Sequence, residues 1–538
     1  MRKELSFLWN CMQEEKTRLC GILLLGIIDI GLALFIVGVT RRLIDVASGA
    51  HPGIWWQELI LLSACILFSV LVRGLYSLHT VWLQNKLQNR LLGHFFSRLL
   101  HAEWLAMKKY HSGDVMSRME TDVDGVVNLL VTAFPQFVLT ALKLCGAFLF
   151  LYNMDGKLAL ILAALIPVIL LLSKLYVKKM RRLSRLLKEQ GSGVRQFFQE
   201  AVQSREIVKA LRAESLMEIK LDGLQAELLQ TVRRQSHFSF YSNTVVMSGF
   251  AVGYLITFSW GLFRLENGTI TFGSLMAFLQ LVNMIQGPAL GLAQLVPGFI
   301  TSYTATERLE ELDDLPAEKS VCHRQLVNIS CIEFQDVSFS YREGGSLLEG
   351  LDWKFECGKM YALTGKTGCG KTTVIRLLLA FVRPDTGKIV LTAGLQHIEV
   401  NVDTRIDFTY VSQDCFLFSG SIRDNLRMGC PQATDEDMAV ALQRAAAGFV
   451  FGLPEGMDTR VNERGEGLSG GQVQRLAIAR ALLVPGSVLL LDEFTSALDA
   501  GTEYEVVASL KRNVKDRIII IVSHKQKVID TCDCVYRL

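Results

Sequence analysis

The stretch KMYALTGKTGCGKTTVIRLLLAF, Lys359 to Phe381, decides how the second half of this chain folds. Met360 to Thr364 is an apolar run of strand length, Gly365 to Thr373 satisfies the pattern G-x-x-x-x-G-K-[ST], and the residues that follow place apolar side chains at helical spacing. A strand that turns through glycines into a helix lets the backbone wrap an anion with its N–H groups, and the helix N-terminus adds its dipole. Gly365, Lys366, Thr367, Gly368, Cys369, Gly370 and Thr373 are therefore expected to cradle the phosphates of a nucleotide. Lys371 would reach the terminal phosphates as a point charge, and Thr372 would ligate Mg2+.

Downstream, SVLLLDEF makes Val488 to Leu491 a buried parallel strand that delivers Asp492 to the phosphate edge as a Mg2+ ligand, with Glu493 beside it as a general base. The plain alternative is two solvated acids at a strand end. Upstream, ISCIEFQDVSFSY alternates as a strand does, and strands alternating with helices imply a mainly parallel α/β sheet.

The first half reads differently. The chain has 538 residues, of which 50% are hydrophobic, and a mean hydropathy of +0.30. The apolar residues collect before about Ile300 in runs long enough to cross roughly 30 Å of hydrocarbon. Six spans are expected, near 20–40, 58–81, 132–152, 157–177, 244–264 and 271–294. Lys86, Arg90, Arg98, Lys108, Lys109 and Arg118 crowd the segment after the second span, and KLYVKKMRRLSRLLK opens the one after the fourth. The opposite short loops hold only Arg41, Arg42, Lys157 and Arg264, so both termini and both long segments are placed in the cytosol. Those segments keep a helical apolar period, and the spans are expected to continue as helices beyond the bilayer. The division expected is an amphipathic segment at 1–18 lying at the membrane interface, a six-span region at 19–302, a polar linker at 303–328 and a nucleotide-binding domain at 329–538. A net charge of +3 without a basic, aromatic-interleaved stripe argues against nucleic-acid binding, and twelve cysteines without a CxxC pair read as free thiols.

The motifs of the second half, taken together, resemble the nucleotide-binding domain of ATP-binding-cassette (ABC) transporters. GKTGCGKTT resembles Walker A, VSQDCFLFSGSIRDNL the Q-loop region, ERGEGLSGGQVQRLAIARALL the signature segment, VLLLDEFTSALD Walker B with its D-loop, and IIIIVSHK the switch histidine. With six spans ahead of it in one polypeptide, the chain resembles an exporter-type half-transporter: an α-helical membrane domain joined to an α/β P-loop NTPase domain. The resemblance implies an ATP- and Mg2+-dependent exporter of unidentified substrate in a lipid bilayer, in a bacterial plasma membrane with the nucleotide-binding domain cytosolic. It also implies a dimer in which ATP lies between Walker A of one chain and the signature loop of the other. Ser469, Gly470, Gly471 and Gln472 would then cap a γ-phosphate held by the partner. By the same resemblance Tyr341 stacks on adenine, Gln413 senses Mg2+ and the attacking water, His524 contacts the γ-phosphate and orients Glu493, and Asp499 communicates across the dimer. Short coupling helices are expected near Ser112–Arg118 and Ser204–Ala210. The alternatives are one half of a heterodimeric exporter with an asymmetric partner, and an ATP-gated channel or regulator.

Two features depart from the family pattern. Phe494 stands where a small alanine is usual, and Leu538 comes only a few residues after the switch region. Within the spans, Asp29 and Lys143 should face the bundle or a water-filled cavity, either paired with each other or touching substrate. Arg73 is expected at the cytosolic or interfacial end of a long helix. Gln280, Asn283 and Gln286 form one polar face of the sixth span, for a translocation path or for helix-to-helix bonding. Gly249 and Gly253 form a GxxxG match, and Gly287 with Pro288 predicts a kink.

Overall fold

The computed structural model describes residues 2–318, 326, 329–341, 345–462, 467–512 and 516–538. Parts of the expected linker (319–325, 327–328) and of the signature segment (463–466) lie outside the described residues. The chain divides into two compact units, Met1–Ser97 with Ser112–Asp314, and Arg98–His111 with Leu315–Leu538.

The first unit is helical: α1 (Arg2–Met12), α2 (Lys16–Ala47), α3 (Trp55–Leu100, most of which lies here), α5 (Ser112–Ser117), α6 (Val123–Asn128), α7 (Phe134–Met154), α8 (Gly156–Gln203), α9 (Arg205–Ala210), α10 (Glu214–Glu266) and α11 (Phe272–Asp313). The short α4 (Trp104–Met107) belongs to the second unit. Two π-turns, Arg118–Asp122 and Leu129–Ala133, make Ser112–Met154 one helical stretch. Each expected span falls within a long helix, and Lys16–Ala47, Trp55–Leu100, Ser112–Met154 and Glu214–Glu266 are long and apolar enough to cross a membrane. The spans expected at 157–177 and 271–294 include residues whose side chains are not among those described. With 46 residues in α3, 48 in α8 and 53 in α10, a rise of about 1.5 Å per residue gives roughly 70–80 Å, more than twice the hydrocarbon thickness. Likewise α11 continues to Asp313, so the start of the polar stretch 303–328 is helical.

Buried acids start these helices. Asp155 accepts from the amides of Lys157 and Leu158, both at 3.1 Å, and from Trp260 Nε1 at 3.0 Å, which caps α8 and ties it to α10. Asp45 of α2 accepts from the Gly273 amide at 2.9 Å at the start of α11, where a Cβ would fall 2.3 Å from the Arg41 carbonyl oxygen. These groups would otherwise be unpaired donors at a helix start.

Three intramembrane expectations change. Asp29 does not pair with Lys143: Arg73 Nε donates to it at 2.8 Å and the Ser69 hydroxyl at 3.1 Å. Arg73 is thereby placed at mid-helix rather than at an interfacial end, because Ser69 and Arg73, four residues apart, share the face of α3 that meets Asp29. The polar face of α11 also divides. Gln286 is buried and its Nε2 donates to the Phe250 carbonyl at 3.2 Å, a bond between helices, while Gln280 and Asn283 are exposed.

The second unit is built on two sheets. The strands in chain order are β1 (Ile329–Phe339), β2 (Leu348–Leu351), β3 (Lys354–Glu356), β4 (Met360–Thr364), β5 (Thr386–Ala393), β6 (Gln396–Glu399), β7 (Phe408–Val411), β8 (Gly420–Ser421), β9 (Arg460–Val461), β10 (Val488–Asp492), β11 (Ile518–Val522) and β12 (Cys534–Arg537). A parallel sheet runs β12-β4-β11-β10-β7, and an antiparallel one runs β2-β1-β5-β6 with β3 on β1. The parallel strands are buried on both faces and alternate between two cores. Leu489, Leu491, Ile519 and Ile521 enter the core shared with Phe494 and the helices α13 (Ile422–Arg427), α14 (Asp435–Arg444) and α15 (Gly470–Leu483), whereas Val488, Leu490, Ile518 and Ile520 enter the core of β1, β5 and α12 (Lys371–Leu378). Strand β12 pairs with β4 from Cys534↔Tyr361 to Arg537↔Thr364, and Tyr536 stacks on Trp353 at 4.8 Å between centroids. The remaining helices are α16 (Ala500–Arg512) and α17 (Gln526–Thr531).

Candidate nucleotide site

Parallel strands end on one side of their sheet, and the expected site residues come from those carboxyl ends. Thr364 of β4 leads into the glycine loop, Val411 of β7 into Gln413, Asp492 of β10 into Glu493, and Val522 of β11 into His524. In the loop, Gly365, Gly368 and Gly370 have φ of +151°, +85° and +106°. At Gly370 a Cβ would also lie 2.7 Å from Leu348 Cδ2, so the turn into α12 has room only for glycine. The Lys371 ammonium donates to the carbonyls of Gly365 and Lys366, both at 2.9 Å, and stands 4.0 Å from Cys369 Sγ.

Asp492 is 2% exposed. Burial raises its carboxyl above the ordinary value, the Thr372 hydroxyl that donates to it pulls the other way, and adjacent Glu493 raises it further. Glu493 turns out of the strand at φ +47°, a left-handed backbone uncommon for a non-glycine residue, held by its amide donating to the Val522 carbonyl at 3.0 Å. The turn puts the carboxylate where Gln413 Nε2 donates to Oε2 at 3.0 Å and His524 Nδ1 stands 3.8 Å from Oε1. Gln413, Glu493 and His524 are therefore one group. Phe494, next in sequence, points away from them and is fully buried, so the large ring is absorbed by the helical-side core.

Ser469 is the N-cap of α15. Its hydroxyl accepts from the Gln472 amide at 3.3 Å, and Gln472 Oε1 accepts from the Ser469 amide at 2.8 Å. Gly470 and Gly471 form the first turn, Gly471 so close to the Ala497 carbonyl oxygen that a Cβ would fall 2.9 Å from it. Asp499 caps α16 through the amides of Gly501 and Thr502 at 3.1 and 3.0 Å, and the Thr502 bond holds its carboxyl below the ordinary value. Among the described residues no hydrogen bond joins this loop to residues 365–373.

Tyr341 is partly exposed at the end of β1, edge-on to Phe339, and its hydroxyl accepts from Arg376 at 2.9 Å. Lys366, Thr367 and Thr373 lie on the loop and in the first turn of α12.

Several contacts around the site carry no motif. Gln474, 2% exposed, donates to the Ser496 hydroxyl at 3.2 Å and accepts from the Ala497 amide at 3.1 Å, which stitches the signature helix to the loop after β10. The segment 98–111 also belongs to this unit. Trp104 stacks on Phe381 at 5.8 Å, Arg376 lies over the Trp104 ring, and Lys108 lies 5.3 Å from the Tyr341 ring centre. The helices Ser112–Ser117 and Arg205–Ala210, near the expected coupling positions, belong to the first unit. Spacing alone could flag Gln474, the fifth residue of a helical run, only as a solvated side chain.

Comparison with known proteins agrees with this fold. A family model described as the ABC transporter transmembrane region matches residues 19–289, and one described as ABC transporter matches residues 348–496. An uncharacterized ABC transporter ATP-binding protein, YfiC, of Bacillus subtilis (strain 168) is 29% identical over 98% of this chain and 88% of its own length. A Staphylococcus aureus (strain NCTC 8325 / PS 47) ATP-binding/permease protein named for multidrug export is 28% identical over 97% of this chain and 93% of its own. The structure of a bacterial Atm1-family ABC exporter with ATP bound superposes with a TM-score of 0.80 at 22% identity, over 97% of this chain and 93% of that one.

Proposed function

We propose, from the premise that this chain belongs to the ABC transporter family and is an ATPase coupled to membrane transport, that it is one half of a dimeric exporter with two composite ATP sites. The observation that carries the reading is the Gln413–Glu493–His524 group beside the phosphate loop, built at the carboxyl ends of three neighbouring strands of one sheet. Glu493 takes the proton of the attacking water, Gln413 orients that water, and His524 holds the γ-phosphate and the Glu493 carboxylate in register. Lys371 leaves its own loop carbonyls for the β- and γ-phosphates, and Tyr341 stacks on the base. Thr372, Asp492 and the free amide oxygen of Gln413 are hard oxygen donors, a set that suits Mg2+. Mg2+ would neutralise phosphate charge there. Ser469 with the amides of Gly470 and Gly471 supplies a helix N-terminus to the nucleotide of the second chain, and Asp499 lies at the same junction. Six spans per chain in a bacterial plasma membrane complete the reading.

Support for the dimer comes from the two loops. Each is organised by its own contacts, and no hydrogen bond among the described residues joins them within the chain. The test is ATP hydrolysis by the purified full chain in lipid nanodiscs. An active homodimer that is trapped with nucleotide by Glu493→Gln is expected. A chain that is monomeric and inactive until a second, different half-transporter is added turns the reading to a heterodimer, and ATP-dependent current without net transport turns it to a channel.

A further inference from the structure

The membrane unit holds a layer of charge that the Asp29–Arg73 pair does not balance. Helices α2 and α7 lie side by side and parallel. A Cβ on Gly26 would fall 2.3 Å from Leu139, one on Gly146 would fall 2.9 Å from Leu34, and one on Gly38 would fall 4.0 Å from Phe150. This register puts Lys143 level with Ile30 or Gly31, within one or two residues of Asp29, or roughly 3 Å along the axis. Asp29 accepts from Arg73 Nε and from the Ser69 hydroxyl through one oxygen, Oδ1, and among the described residues no ion pair joins it to Lys143. Lys143, half-buried, has no ion-pair partner among the described residues, and the Arg73 side chain is 62% exposed with only its Nε engaged. Two cations and one carboxylate therefore share one depth in the middle of the spans, a place where uncompensated charge is costly and is turned toward a cavity or a ligand.

We infer that this layer binds an anionic group of the transported substrate, a carboxylate or a phosphate, with Lys143 and the outer nitrogens of Arg73 as donors. The inference rests on the exporter reading and adds to it the charge class of the cargo. Guanidinium suits the two oxygens of such a group, and Lys143 supplies the excess positive charge.

The experiment compares two xanthene dyes of similar size, anionic fluorescein and cationic rhodamine 6G, binding by anisotropy to the full chain in phosphatidylcholine nanodiscs without nucleotide. Fluorescein should bind about tenfold tighter or better, given the strength of charge pairs away from bulk water. Lys143→Gln should abolish that preference and Lys143→Arg retain it, while Asp29→Asn, which raises the net charge of the layer, should enlarge it. Displacement of fluorescein by added phosphatidylglycerol would identify a lipid headgroup as the occupant, and its persistence a soluble anion, either one an anionic ligand for this layer. Equal binding of the two dyes, or a preference unmoved by Lys143→Gln and Asp29→Asn, overturns the inference. ATP-driven dye movement is read separately in proteoliposomes, so its loss with charge selectivity intact counts against the exporter reading alone.

Discussion

The two glycine loops of the second unit use the same residue for different ends. Between Gly365 and Gly370 the backbone passes three times through positive φ and ends at a lysine whose ammonium folds back onto two loop carbonyls. Between Gly467 and Gln472 only the first residue has positive φ; Ser469 and Gln472 then close a capping box, and Gln474 pins the helix behind them to Ser496 and Ala497. The first loop offers a full charge and a wrapped backbone. The second offers a helix dipole, about half a charge that fades within a turn. A loop of the first kind can hold a polyphosphate on its own; one of the second kind can only add to a polyphosphate already held elsewhere.

That contrast can be broken by substitution, and the largest effect belongs to the chemistry beside the first loop. Glu493→Gln should slow phosphate release by about 10²- to 10⁴-fold while equilibrium ATP binding, read by a fluorescent analogue, stays within a factor of a few. Lys371→Ala should weaken ATP binding about 10- to 100-fold, the worth of a charge-assisted hydrogen bond; if it bound ATP normally, the charge would not be what separates the loops. Gln474→Ala leaves the Ala497 amide and the Ser496 hydroxyl without their partner and should cost about 1–3 kcal/mol, visible as a lower unfolding midpoint in detergent. Gln474→Glu, which keeps the acceptor for Ala497, should recover part of it. Ser469→Ala should be mildest for the fold, about 1 kcal/mol for a lost N-cap, with ATP binding to a single chain unchanged and turnover of the assembled protein reduced. Weakened single-chain binding in that variant would mean that the signature loop serves its own chain's nucleotide.

Much of the site was legible because its chemistry requires particular residue types at fixed spacing. A glycine loop needs Gly365, Gly368 and Gly370 where the backbone turns left-handed, and a strand that ends on Asp492 and Glu493 brings them to the same edge. The grouping of Gln413, Glu493 and His524 could be expected from family resemblance, since nothing local in the sequence brings together residues from three strands. Phe494 follows Glu493 of the site in sequence, but the left-handed turn at Glu493 breaks the strand alternation and sends the ring into the core shared with Leu489 and Leu491. Trp104 and Gln474 went unread because an aromatic on an amphipathic helix and a glutamine in a helical run have ordinary solvated explanations.

What the sequence alone determined was the order of things: apolar runs long enough to span a bilayer, basic residues gathered between them, then a strand, glycine loop and helix at one end of an α/β sheet. These follow from local physics, the hydrogen-bonding demand of backbone in hydrocarbon and the steric freedom of glycine. Tertiary structure alone decided which charges meet. Asp29 took Arg73 rather than Lys143, and Asp45 and Asp155 became the caps of helices that start over a hundred residues later or immediately after them. Pairing in a low-dielectric interior depends on helix register and on a few ångströms of reach, and neither is written in the identity of any one residue.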